Sequence, residues 1–317
     1  MRMTIIGGGS LGLLFAAKLV PLCKGLTLIA RTREQAETLA QGGIAIQEMS
    51  GERRIVSHTD ISIECYNGSA DETVQGLRNA DYVLLMLKQP AITETLLARL
   101  QSELAPQACL ICFQNGIGHE HKVIGALGAG RVLFAVTTEG AKREGGTAVR
   151  HTGHGVTYIG GLTSEMNDNL LQRHCSLKEV LLQAGFQADL SKNMEERIWN
   201  KLAINCVINP LTAILKVTNG QLLDTAWTRS LMADLFRETS EVAEAYHVSL
   251  AQDLWTTIVQ VCQATSANHS SMLQDVLGGR PTEIDYLNGS LVSMAGKAGL
   301  ALPNHNMVYR LVKAMEG

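Results

Sequence analysis

A chain of 317 residues with a formal net charge of −3 and a sequence pI of about 6.3 is long enough for two domains, and it carries no general attraction for nucleic acid or an anionic membrane. Hydrophobic residues make up 46% and charged residues 18%, as in ordinary globular proteins, and no run approaches the roughly 18–20 uninterrupted apolar residues of a membrane span. Seven scattered cysteines, in a chain whose first residues run straight into a motif with no room for a signal peptide, are expected to be free thiols in a reducing cytoplasm.

Residues 3–6 form a short β-branched run that opens into Gly7-Gly8-Gly9-Ser10-Leu11-Gly12. An apolar-periodic helix follows over 11–20, and a second strand over 26–29. Gly7, Gly9 and Gly12 therefore fill G-x-G-x-x-G between a strand and a helix. The first glycine suits a tight turn, the second a close approach to a pyrophosphate, and the third helix–strand packing. Phosphates can then sit on free N–H groups at the helix start. Gly8-x-Ser10-x-Gly12 also matches the nucleophile elbow of hydrolases. That elbow needs earlier strands and an oxyanion loop, and too little chain precedes Gly8. The expected fold is thus an α/β Rossmann-type doubly wound domain that binds a dinucleotide.

The second strand ends at Arg31, where an NAD-binding unit usually carries an acid for the ribose hydroxyls. A guanidinium suits a 2′-phosphate, so NADPH/NADP+ is favoured over NADH. The competing reading is an arginine in solvent at a helix start, with Glu34 close by. Residues 43–63 read as short β pieces forming a peripheral insertion. Residues 82–87 read as a buried parallel strand ending at Lys88, with Pro90 opening a helix. Residues 108–113 are the next such strand and end in Gln114-Asn115-Gly116-Ile117-Gly118. Lys88, Asn115 and the glycines all fall at carboxyl ends of strands, where open α/β sheets bind ligands. Residues 132–136 form a further strand, and 147–151 with 156–159 an antiparallel finish. Cys109-x-x-Cys112 lies in a strand, where residues three apart face opposite ways. His119-x-His121 and His151-x-x-His154 read as loop polar residues. No metal is expected.

From Ser164 the pattern turns helical. Residues 167–184 form one helix, stopped by Gly185, and 186–190 an extended segment. The domain boundary is placed near Ser191, giving a dinucleotide-binding domain over 1–191 and an all-α domain over 192–317. Asn193-x-x-Glu196 resembles a capping box for the helix over 197–213. Lys201, Asn205 and Asn209 recur every four residues on it. Each step is about 400° of rotation, so the three drift by only about 40° per step and form one stripe. The rest of the helix is apolar nearly all round, as in a buried helix. Burial pulls a lysine toward neutrality and makes it a candidate proton donor. A plain surface stripe, with Asn209 ending the helix before Pro210, is the alternative. Later helices are expected near 228–247, 251–266, 282–298 and 304–313. Thr282 is the expected cap of the third and Glu283 lies in its first turn. Trp199, Trp227 and Trp255 read as helix-packing residues.

The sequence resembles the ketopantoate reductases (2-dehydropantoate 2-reductases) along essentially its whole length. The resemblance is carried by G-G-G-S-L-G, the strand end at Lys88, Q-N-G-I-G, N-K-L-A-I-N-C-V-I-N-P-L-T-A, S-S-M-L-Q-D and T-E-I-D-Y-L-N-G. It implies a Rossmann domain followed by an all-helical domain, with the site in the cleft between them. The implied reaction is NADPH-dependent reduction of 2-dehydropantoate to (R)-pantoate, on the way to pantothenate and coenzyme A. Lys201 would be the general acid, and Glu283 would hold the lysine or bind substrate hydroxyls. Asn205, Asn209 and Ser271 would contact substrate, and Asn115 would lie near substrate and nicotinamide ribose. Gly7, Gly8, Gly9, Ser10, Leu11, Gly12, Lys88, Asn115 and Glu283 would face the cofactor, with Arg31 on its 2′-phosphate. Ala91 departs from the family, which often has a polar or acidic residue there, and leaves Arg31 more alone in choosing NADP(H). The helical domain would carry substrate binding and any homodimer contact. A same-fold reductase of another 2-oxo acid, or a non-catalytic NADP(H) sensor, are the alternatives.

Overall fold

The computed structural model describes residues 1–66, 74–162 and 168–316, with the side chains of 168–173 excepted. The pattern change expected at Ser164 lies outside these residues. The chain divides into two compact units, Met1–Gln114 with His119–Met194, and Asn115–Gly118 with Glu195–Gly317.

The first unit opens with β1 (Arg2–Ile6), α1 (Ser10–Leu19), β2 (Gly25–Ala30) and α2 (Arg33–Gly42). Then come β3 (Ile44–Gln47), β4 (Arg53–Val56), β5 (Ser62–Cys65), α3 (Gln75–Asn79), β6 (Tyr82–Leu85), α4 (Glu94–Glu103), β7 (Cys109–Cys112) and α5 (Glu120–Leu127). The unit ends with β8 (Val132–Thr137), β9 (Gly140–Arg143), β10 (Ala148–Gly153), β11 (Val156–Gly160), α6 (Asp168–Gln183) and β12 (Gln187–Leu190). Eight strands form a sheet in the order β12-β11-β8-β7-β6-β1-β2-β5. The strands from β5 to β8 pair in parallel, β11 runs antiparallel to β8, and β12 is parallel to β11. β6 and β7 are buried at every position, as strands covered on both faces must be, which is why they read as continuous apolar runs. The chain moves outward from β1 through β2, then returns to β6 on the other side of β1. That reversal opens a crevice at the carboxyl ends of β1 and β6, where doubly wound sheets hold ligands. Phe15 of α1 stacks on Phe186 with centroids 4.1 Å apart and meets Phe113 edge-on at 5.3 Å.

Residues 43–63 are not a peripheral insertion. β3 and β4 join β10 and β9 in a four-stranded sheet, β4-β3-β10-β9, and Ile44, Ile46 and Val56 belong to the main core with α1. β5 is the edge strand of the large sheet beside β2. The antiparallel finish is also divided: β10 lies in the small sheet and β11 in the large one.

The second unit contains α7 (Met194–Leu215), α8 (Ala226–Ala245), α9 (Leu254–Ala264), α10 (Ser271–Leu277), α11 (Asn288–Lys297) and α12 (Pro303–Glu316). Among the described residues α7 is the one helix long and apolar enough to cross a membrane by length and composition, and most of its apolar stretch is buried inside the protein. Its buried Leu202 and Cys206 pack in one core cluster, and Val207, Ile208 and Leu211 in another. α7 is therefore the core helix of this unit. The helix expected over 282–298 is broken. Residues Ile284–Tyr286 form a single 3-10 turn, and α11 starts only at Asn288. Trp199 is buried and Trp255 packs on Phe236 at 5.7 Å, but Trp227 is 84% exposed and packs no core.

Candidate active site

The first unit carries a glycine-rich turn between β1 and α1. Gly7 has φ +118°, and a Cβ there would lie 2.7 Å from the Met86 carbonyl oxygen. A Cβ on Gly12 would lie 1.8 Å from the Gly7 oxygen, so α1 packs on β1 only with glycine at this position. Around Gly9 there is open space, and as N-cap of α1 it offers no side-chain cap. The helix start thus presents backbone N–H groups and a positive dipole end to an anion. The Gly8 carbonyl accepts from Gln35 Nε2 at 2.7 Å, which braces the loop from α2. Ser10 and Leu11 begin α1 directly behind this turn.

A cavity of about 370 Å³ sits at the strand ends beside the loop, lined by residues including Ile6, Ala30, Arg31, Tyr66, Leu87 and Ala91. Its walls are largely apolar, and Arg31 is exposed on its rim. The guanidinium of Arg99 stacks on the Tyr66 ring at 5.0 Å and holds that wall. A flat apolar base would fit between these walls, with a charged group at Arg31. Lys88 is exposed three residues past the end of β6, at the start of a 3-10 turn over Gln89–Ala91. Pro90 opens this turn rather than a helix, and α4 starts later behind its Thr93 cap. Gln114 donates from Nε2 to the carbonyls of Leu85 and Leu87 at 2.9 and 2.8 Å, fixing the segment that leads to Lys88.

The second unit gathers the polar groups expected to handle a small acid. Lys201 and Asn205 are part-buried on α7, and Asn209 is buried. Burial pushes the Lys201 ammonium down to about 8, against the opposing pull of the Glu283 carboxylate. Asn115 donates from Nδ2 to Glu283 Oε2 at 3.0 Å. Three of the expected residues, Lys201, Glu283 and Asn115, are thereby coupled. The turn that carries Asn115 explains its own sequence. Ile117 N–H donates to the Tyr286 carbonyl at 3.2 Å, and a Cβ on Gly116 would lie 2.1 Å from that same oxygen. Gly116 also has φ +77°, so a side chain there would be strained as well as crowded.

Glu283 precedes the 3-10 turn and is not in the first turn of an α-helix, so a helix dipole does not account for it. Its neighbour Thr282 caps the 3-10 turn, not an α-helix, by accepting from the Ile284 N–H at 3.2 Å, and is itself held by Glu316, whose Oε1 accepts from the Thr282 N–H and hydroxyl at 2.8 and 2.6 Å. Ser271 is exposed as the first residue of α10, behind the Ser270 cap. Thr212 of α7 donates to Ser270 Oγ at 2.7 Å, which ties the start of α10 to the helix carrying the stripe.

Asn209 does not end that helix. α7 runs through Pro210 to Leu215. Pro210 lacks the N–H that would bond to the Cys206 carbonyl four residues earlier. Asn288 Nδ2 supplies the missing donor to the Cys206 oxygen at 2.9 Å. Asn288 is fully buried and bonds His305 Nδ1 at 2.9 Å, and His305 Nε2 reaches the Leu235 carbonyl and Thr239 hydroxyl. Asn288 had no signal of its own in the sequence. Pro210 did: a proline within an apolar helix leaves a buried carbonyl that needs a donor.

The family model described as "Ketopantoate reductase PanE/ApbA" matches residues 3–164, and its C-terminal counterpart matches 193–316. The chain is similar to the 2-dehydropantoate 2-reductase of Listeria innocua, at 33% identity over the whole chain and 97% of the relative. It is similar in structure to a PanE/ApbA family ketopantoate reductase from Ralstonia eutropha, with TM-score 0.86 and 26% identity over 100% of this chain and 98% of that one. D-mandelate dehydrogenase, solved with NADH and anilino(oxo)acetate, also has TM-score 0.86, at 25% identity and the same coverage.

Proposed function

The chain belongs to the ketopantoate reductase family, an oxidoreductase family, and from that membership we propose that it reduces 2-dehydropantoate to (R)-pantoate with NADPH, a step toward pantothenate and coenzyme A. The observation that carries this reading is Lys201, desolvated to about 8 beside a Glu283 that Asn115 holds in place. An ammonium poised near neutrality is still mostly protonated at pH 7, yet gives up its proton readily.

The nicotinamide, when bound, supplies the hydride. Gly7–Gly12 would hold its pyrophosphate on the start of α1, Arg31 the 2′-phosphate, and Lys88 a further polar group of the cofactor. Reduction leaves alkoxide character on the ketone oxygen. Lys201 Nζ stabilises that charge and donates the proton. Asn205, Asn209 and Ser271 orient the acid through neutral hydrogen-bonding groups, which add no charge to compete with Lys201. Glu283 keeps the ammonium charged, and Asn115 keeps Glu283 aimed.

The test is a panel of 2-oxo acids, with NADPH and then NADH, ranked by kcat/KM from loss of reduced-cofactor absorbance. 2-Dehydropantoate with NADPH is expected to rank first. A different acid at the head of the ranking would keep the mechanism and replace the substrate. Cofactor binding without turnover on any member would leave only a nucleotide sensor.

A further inference from the structure

The β9–β10 hairpin carries a side-chain cluster that the reduction does not use. Glu139 stands just before β9, His151 lies on β10, and His154 follows its end. One ligand atom from each lies within 4.8 Å of the others. His151 is therefore not a loop polar residue: it is buried in a strand. On a regular strand, residues three apart face opposite ways. Here the β9–β10 register slips between His151 and Gly153, and a bulge of this kind re-aims side chains. The two imidazoles meet edge to face with centroids 4.7 Å apart. Gly155 lets the turn close, since a Cβ there would lie 2.2 Å from the Thr138 carbonyl carbon.

The surroundings favour a cation. Glu139 and His151 are 8% and 1% exposed. His151 Nε2 is 2.8 Å from Glu139 Oε2 and 3.2 Å from the Gly153 carbonyl. Its Nδ1 faces Glu48 Oε2 at 3.5 Å, and Glu48 is itself anchored by Lys18 at 3.0 Å and Arg54 at 3.7 Å. Among the described residues, buried Glu139 Oε1 has no hydrogen-bond partner. A buried histidine–carboxylate hydrogen bond explains the 2.8 Å contact. It explains neither the orphaned carboxylate oxygen, which is costly to leave unmet, nor the convergence of His154.

We propose that Glu139, His151 and His154 form a binding site for a divalent transition-metal ion of the zinc class. Two imidazoles and one carboxylate make a three-ligand set with a position left for water, as zinc takes, whereas magnesium and calcium prefer oxygen alone. Glu48 orients His151 from behind, as carboxylates do for metal-bound histidines. His154, being exposed, gives the ion its way in. The spacing of these residues along the chain signals no such site, because the bulge and the approach of Glu139 both come from the fold.

The full-length protein, stripped of metal, is titrated with Co2+ while its visible d–d absorption is recorded, and then with Zn2+ in competition. The expected result is one Co2+ per chain with the intense absorption of a four-coordinate ion, displaced by Zn2+. His154→Ala removes an exposed ligand and should keep the native circular dichroism spectrum, yet weaken Zn2+ binding on the order of 100-fold. Glu48→Gln should weaken it roughly tenfold. Absence of the four-coordinate spectrum overturns the proposal. So does Co2+ uptake unchanged by His154→Ala, which would mark surface binding elsewhere.

Discussion

Lys201 is set apart from the other lysines by its neighbours on α7, since an apolar helix leaves its ammonium poorly solvated and lowers its affinity for protons to a pKa of about 8. If it is the acid, kcat/KM for 2-dehydropantoate should fall as pH rises through about 8. Glu283 opposes the shift, so Glu283→Gln should move that limb to lower pH, which a pH–rate profile of the two proteins measures. The effect on stability has a definite sign. Between the folded value of about 8 and the ordinary lysine value, the unfolded chain binds more protons than the folded one. The contribution of Lys201 to stability therefore rises with pH across that window, and below it the charged amine costs stability. Lys201→Met should raise the urea midpoint at pH 7 and lose activity. At Arg31, loss of the guanidinium in Arg31→Ala should raise KM for NADPH by roughly 10–100-fold and leave KM for NADH little changed. The stripe of Lys201, Asn205 and Asn209 could be read from helical period alone. The pairing of Glu283 with Lys201 was legible only through the family resemblance, and the Asn115–Glu283 hydrogen bond not at all, because those residues are far apart in sequence and their meeting is purely tertiary.

α7 combines two demands that conflict locally: it continues through Pro210, and it buries the carbonyl that Pro210 leaves without a donor. Asn288 resolves the conflict. Asn288→Ala should destabilise the protein by about 1–3 kcal/mol, the cost of a buried acceptor left unmet. Pro210→Ala restores the helical N–H to the same carbonyl, so it should recover part of that loss in the double variant. Denaturant unfolding of the four proteins of this cycle gives the coupling directly, and strict additivity would show that the two residues do not share the Cys206 oxygen. Elements were legible where period or punctuation was strong, as in β6, β7 and α1. They were misread where tertiary pairing decides. Residues 43–63 have the composition of a surface excursion, yet β3 pairs with a strand about a hundred residues later and buries Ile44 and Ile46. The 282–298 segment has helical periodicity, yet its first turn is 3-10, which sets Glu283 ahead of α11 rather than on it.

At the scale of the whole chain, the expected residues fall into two sets. Gly7–Gly12, Arg31 and Lys88 belong to the sheet unit, while Lys201, Asn205, Asn209, Ser271, Glu283 and Asn115 belong to the helical unit. Variants should therefore separate by unit. Gly12→Ala, whose Cβ would collide with the Gly7 carbonyl, should abolish NADPH binding, while substitutions on α7 should lower kcat with the cofactor still bound. The alternation of strand and helix followed by helices alone made this architecture readable from sequence, because buried parallel strands and amphipathic helices have different periods. The role of Lys201 is decided by turnover of 2-dehydropantoate by Lys201→Ala, followed by NADPH absorbance, with NADPH affinity measured on the same sample by fluorescence. The predicted result is a fall in kcat of roughly 10²–10⁴-fold with the NADPH dissociation constant little changed. Turnover close to that of the unaltered protein would contradict the role of Lys201 as proton donor.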